Sequence, residues 1–140
     1  MSFTLILLVG LAVIFNFLNG VHDSANIVAT AISSRAMAPR TALIVVAIAE
    51  FCGPFIFGVA VANTIGNGVV ASDQINSQVI IAALISAIVW NILTWVLGIP
   101  SSSMHALIGG LIGAVVAGAG FMAIKLDGVI KVLISLFASP

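Results

Sequence analysis

Long apolar runs, interrupted twice by short polar clusters, set the pattern of this chain. Residues 3–18 are almost wholly apolar, and residues 27–37 form a shorter run after a polar interval. A third stretch covers residues 41–63, a fourth 79–97, a glycine-rich fifth 106–123, and a last one begins near Val129. A membrane-spanning helix needs about 20 apolar residues. The pattern therefore predicts an all-α membrane protein: one transmembrane domain, residues 1–140, built as a bundle of about four to five transmembrane or re-entrant helices.

The polar clusters are Asn19-Gly20-Val21-His22-Asp23-Ser24-Ala25-Asn26 and Gly98-Ile99-Pro100-Ser101-Ser102-Ser103-Met104-His105. As one helix, residues 3–37 would be roughly 52 Å long at 1.5 Å per residue, against a hydrocarbon core of about 30 Å. A break or fold-back is expected near residues 19–26, and Pro100 predicts a second one. Irregular backbone at membrane depth persists only where protein or a watery cavity satisfies it. The two broken-helix motifs are thus the places to look for function.

Composition supports this picture: 62% of residues are hydrophobic and 6% charged, whereas a water-soluble surface is typically about a quarter charged or more. Lipid is the solvent that fits. The net charge of zero indicates no nucleic-acid partner and no adhesion by surface charge. The first run lacks a basic leader and a small-residue cleavage site, so it reads as a retained span. Cys52, the single cysteine, has no intrachain partner and reads as a small apolar helix residue. Arg35 and Arg40 mark a cytoplasmic loop, and residues 64–78, with no basic residue, an external one. Strict alternation then places Lys125 outside, against the rule, so one stretch reads as re-entrant. Gly109 and Gly113 have the spacing that lets helices approach closely. No nucleophile–base pair or metal cluster occurs at readable spacing, so neither an enzyme nor a cofactor is expected.

The chemistry lies in the interruptions. Asp23 or Ser24 would cap the helix that follows. An ionisable group within a membrane segment is costly, however, and is a functional candidate by default. With His22 beside it, Asp23 can bind a cation or exchange a proton. Ser101, Ser102 and Ser103 place hydroxyls at a helix start, where free backbone N–H groups suit an anion such as phosphate. His105 adds a donor. Asp23 alone would repel phosphate, so a cation or proton must offset it. Discontinuous helices meeting in mid-membrane build such paired sites in secondary transporters. Glu50, about halfway through the third stretch, is a further candidate. Asn91 reads either as a helix–helix hydrogen bond or as a coupling-ion contact.

The first cluster resembles the signature of the inorganic phosphate transporter (PiT) family, roughly N-G-x-[NH]-D-x-A-N. Residues 98–109 resemble its second motif, roughly G-x-P-x-S-x-[ST]-H-x-x-[IV]-G. The similarity runs over nearly the whole chain. It implies uptake of phosphate coupled to protons or sodium, at the cell membrane, by two inverted repeats that each carry both motifs. One copy of each is present here, so the chain reads as one half of an inverted-repeat transporter. Its partners would be phosphate, the lipid bilayer, and a second repeat or second copy. By match, Asp23 and Asn26 take the first-motif roles, and Ser102 and His105 the second. The phosphate contacts expected are Asn26, Ser101, Ser102, Ser103 and His105. The coupling-ion candidates are His22, Asp23, Glu50 and Asn91, with Asp23 and Asn26 the pair for a sodium ion. His22 stands where the family varies between His and Asn, and it leans the reading toward protons. Met104 departs from the pattern: a thioether donates no hydrogen bond, leaving Ser103 to supply the hydroxyl. Two competing readings are a non-transporting membrane subunit that packs with a partner, and an anion channel.

Overall fold

The computed structural model describes residues 2–57, 68–70 and 75–138. The end of the third stretch and most of the loop at 64–78, Asp73 included, lie outside the described residues. Among the described residues five α-helices follow one another: α1 (Phe3–Ser33), α2 (Pro39–Phe57), α3 (Ser77–Val96), α4 (Ser103–Ala119) and α5 (Leu126–Ala138). A short 3-10 turn, Phe121–Ala123, links the last two. Among the described residues the only β feature is an isolated bridge between Val70 and Ile124. The expectation of an all-α bundle holds, and α1, α2 and α3 are long and apolar enough to cross a membrane.

One expectation is corrected. The first polar cluster does not break its helix: α1 runs unbroken for 31 residues, about 46 Å at 1.5 Å per residue. It merges the two predicted apolar stretches, so Asp23 and Ser24 are not its caps. The cap is Ser2, whose hydroxyl accepts from the Leu5 N–H. The cluster contains no proline, and its polar residues each cost a helix only about 0.5–1 kcal/mol relative to Ala. Breaking the helix would strand backbone groups in lipid, where each costs several kcal/mol. Polar side chains therefore sit on an intact backbone. The Ser24 hydroxyl donates to the Gly20 carbonyl one turn earlier, which satisfies it within the helix.

The second cluster does break the chain. The Gly98 N–H donates to the Trp95 carbonyl and the Ile99 N–H to the Thr94 carbonyl, the paired bonds that close a helix on a left-handed residue. Gly98 supplies that conformation, with φ 65°. Pro100 follows, and Ser102 caps α4 by accepting from the His105 N–H at 3.4 Å.

The hairpin of α3 and α4 is the most extensively packed pair, and α1 packs against both α3 and α2. Buried Phe15 of α1 meets Leu84 and Ala87 of α3, with Ala106 and Leu107 of α4 packed against them. A second cluster joins Val79 and Ala83 of α3, Ile108, Leu111 and Val115 of α4, and Val132 of α5. The helices α3 and α4 approach closely at Gly110. A Cβ there would lie 2.7 Å from the Ala83 carbonyl oxygen, whereas at Gly109 and Gly113 it would meet nothing within 4 Å. The close approach shown here thus falls one position away from the spacing motif.

Candidate functional site

The middle of α1 directs its polar residues to different neighbours, because successive residues are turned by about 100° on a helix. Asp23 points to the start of α4. The Ser103 hydroxyl donates to its Oδ1 at 3.3 Å, across 80 positions of sequence. Ser103 is wholly buried and Asp23 half-buried. The carboxylate therefore rests at the positive end of the α4 dipole, where a negative charge is favoured. Elsewhere in the turn, His22 and Asn26, four residues apart, share a face. Together with Val21 and Ala25 they form one wall of a crevice of about 280 Å³, opposite Thr94 and Trp95 of α3 and residues 98–101.

On the far wall, Ser101 and Thr94 hydroxyls lie 2.8 Å apart. Thr94 directs its own hydrogen to the Trp90 and Asn91 carbonyls, at 2.9 and 3.2 Å. Ser101 lines the crevice beside it. Buried Thr94 was missed by sequence reasoning. Its only signal there was its place one turn after Asn91, inside an apolar run.

The other predicted residues are dispersed. Asn26 is exposed along the crevice, and Ser102 is occupied in capping α4. His105 is not at the crevice. It lines a separate cavity of about 440 Å³ with Ser86, Trp90, Gly109, Gly110 and Gly113. Met104 is exposed, and the Ser103 hydroxyl is engaged with Asp23. Glu50 is exposed on α2, away from the crevice walls. Pro54, four residues on, has no N–H to offer the Glu50 carbonyl. Asn91 is 1% exposed and faces α1 across a smaller cavity that it shares with His22. Among the described residues no three His, Cys, Asp or Glu side chains cluster as a metal site. Oxygen donors for a small cation reduce to Asp23, Asn26 and nearby hydroxyls and carbonyls.

Chemically, the site pairs a carboxylate held by a buried hydroxyl with a neighbouring crevice of hydroxyl, amide and imidazole groups. The first suits a cation or proton, the second an oxyanion. Comparison with known proteins shows the family. Residues 19–140 match the model of the phosphate transporter family. A probable low-affinity inorganic phosphate transporter of Rhizobium meliloti (strain 1021) is 47% identical over 133 residues, covering 95% of this chain and 40% of that protein. One of Bacillus subtilis (strain 168) is 47% identical over 137 residues, covering 96% of this chain and 41% of that protein. A solved structure described as the sodium-dependent phosphate transporter superposes with a TM-score of 0.89 at 29% identity, covering 99% of this chain and 36% of that one. The chain spans about two-fifths of the length of these relatives. With its apolar helices and this match, the chain is an integral membrane protein that belongs to the phosphate transporter family.

Proposed function

We propose that this chain is the N-terminal repeat of a two-repeat transporter that carries inorganic phosphate across the cell membrane by symport with a cation. The observation that carries the reading is the Asp23–Ser103 contact, because it joins the two sequence motifs at one place. Asp23 and Asn26 hold the coupling ion, and Ser101 with the crevice around it takes the phosphate. A cation beside Asp23 offsets the repulsion between the carboxylate and the substrate. Sodium is favoured by the relative described as sodium-dependent and by the preference of hard cations for such oxygens. A proton is favoured by His22, one position away.

Uptake of labelled phosphate into liposomes, with the chain supplied together with the rest of such a transporter, tests the reading. Asp23→Asn is expected to abolish gradient-driven uptake while membrane insertion stays intact. A pH gradient in sodium-free buffer and a sodium gradient at equal pH then separate the two coupling ions. Wild-type rates in Asp23→Asn would refute the assignment. Flux indifferent to both gradients would indicate an anion channel, and absence of flux in any combination a non-transporting subunit.

A further inference from the structure

Two arginines stand at the turn between α1 and α2. The Arg35 N–H donates to the Ile32 carbonyl and the Ala36 N–H to the Ala31 carbonyl, each at 3.0 Å. This helix closure needs a left-handed residue and normally takes glycine or asparagine there. Arg35 occupies that position, with φ 59°, and among the described residues it is the sole non-glycine with positive φ. An arginine in so uncommon a backbone state invites a functional reason. Arg40 lies in the first turn of α2, the end at which the helix dipole disfavours a cation. Both arginines are exposed. No carboxylate of their own two helices reaches them. At 1.5 Å per residue, Asp23 is about 15 Å from the end of α1, and Glu50 about 15 Å along α2 from Arg40. Asp23 is moreover engaged with Ser103.

What flanks the turn sets its depth. Both α1 and α2 are apolar enough to span, and the apolar run of α2 begins at Ala42. Residues 34–38 lie outside both helices, and irregular backbone is not left exposed in hydrocarbon. Both arginines therefore stand at headgroup depth. Beyond Arg40, residues Ile44, Ile48, Phe51 and Phe55 fall on the same stripe of α2, at about 100° per residue. They are 59%, 60%, 72% and 79% exposed, whereas Ala42, on the opposite side, is 3% exposed. Glu50 is off the stripe, turned by about 100° from Phe51, so the stripe below Arg40 is wholly apolar. A basic head above a continuous apolar wall has the charge order of a phospholipid. The guanidinium fork matches phosphate oxygens, and two cations with no carboxylate in reach favour a lipid of net negative charge. We infer that the α1–α2 turn is a binding site for an anionic phospholipid, its phosphate on Arg35 and Arg40 and an acyl chain along the outer stripe of α2. The inference stands on the membrane placement of the helices and not on the phosphate-transport reading.

The test uses the full chain in phosphatidylcholine nanodiscs. These are doped, at equal mole fraction, with phosphatidylglycerol or phosphatidylcholine carrying a photoreactive group on the acyl chain. The readouts are the ratio of the two crosslinking yields and the labelled positions, mapped by mass spectrometry. The expected ratio favours phosphatidylglycerol, with labels between Ile44 and Phe55. A basic residue near an anionic surface is worth a factor of about five. Arg35→Gln and Arg40→Gln should therefore each lower the ratio about five-fold, and the double variant should bring it close to one. A ratio of one in the unmodified chain, a ratio unchanged in the double variant, or labels confined to other helices would overturn the proposal. So would displacement of phosphatidylglycerol by inorganic phosphate, which would assign the arginines to the free anion. Loss of the α2 labels when the rest of such a transporter is present would give the stripe to protein and overturn it too. Should a variant fail to fold, the ratio and the labels in the unmodified chain decide alone. The readout needs no gradient, so it and the transport assay fail independently.

Discussion

The Asp23 carboxylate lies at the N-terminus of a helix other than its own, with the Ser103 hydroxyl donating to it at 3.3 Å. Ser103 is wholly buried, so its removal cannot be repaired cheaply by bulk water. Hydrogen bonds to charged groups contribute about 1.5–3 kcal/mol. Ser103→Ala is expected to lose stability of about that size, seen as a lower unfolding temperature in detergent. It should also raise the cation concentration needed for half-maximal phosphate uptake, because the carboxylate loses the group that orients it. Ser102→Ala instead removes an N-cap, at a cost of about 1 kcal/mol, with little change in cation dependence. Equal cation dependence in the two variants would show that Ser103 does not act through Asp23.

Helix association in lipid gains little from the hydrophobic effect, because the tails are as apolar as the side chains; close packing has to supply it. At the scale of the elements this makes the α3–α4 seam decisive. Gly110 is where that seam leaves no space, with a Cβ brought to 2.7 Å from the Ala83 carbonyl oxygen. Gly110→Ala is expected to cost about 1–3 kcal/mol through forced separation of the two backbones. Gly109→Ala and Gly113→Ala, with nothing within 4 Å, should be neutral or stabilising by about 0.4–1 kcal/mol. Thermal unfolding of the three variants in one detergent checks the order. A Gly109→Ala variant less stable than Gly110→Ala would place the close approach on the other face.

At the scale of the molecule, much of the apolar surface of α1 and α2 is open. In each, only 6% of the most apolar window is buried. Glu50 is exposed on α2, and an ionisable group in a membrane segment is normally turned to protein or to a watery cavity rather than to lipid. Transporter sites of this kind lie between repeats, and the relatives are more than twice as long as the region matched. The purified chain alone in liposomes is therefore expected to take up no phosphate. Activity should appear on adding the remainder of such a transporter, or on enforced dimerisation. Coupled uptake by a chain shown to be monomeric would contradict this.

The sequence by itself determined the solvent, the helical class and the two polar clusters, because each is written in local composition. Lipid admits few charges, spans need a minimum apolar length, and Gly98 with Pro100 announces a chain reversal through backbone sterics alone. What local pattern could not distinguish was polar side chain from broken backbone. In α1 the hydrogen-bond ladder of a lipid-embedded helix outweighed the polar side chains, and the predicted break vanished. Whether two distant motifs touch is a question of packing, so only the tertiary structure brought Ser103 to Asp23 and Thr94 to Ser101. It also sent His105 to a different cavity and chose Gly110 over Gly109 and Gly113. Side-chain direction around a helix follows from its rotation against its neighbours, and that rotation is settled by contacts among residues far apart in the chain.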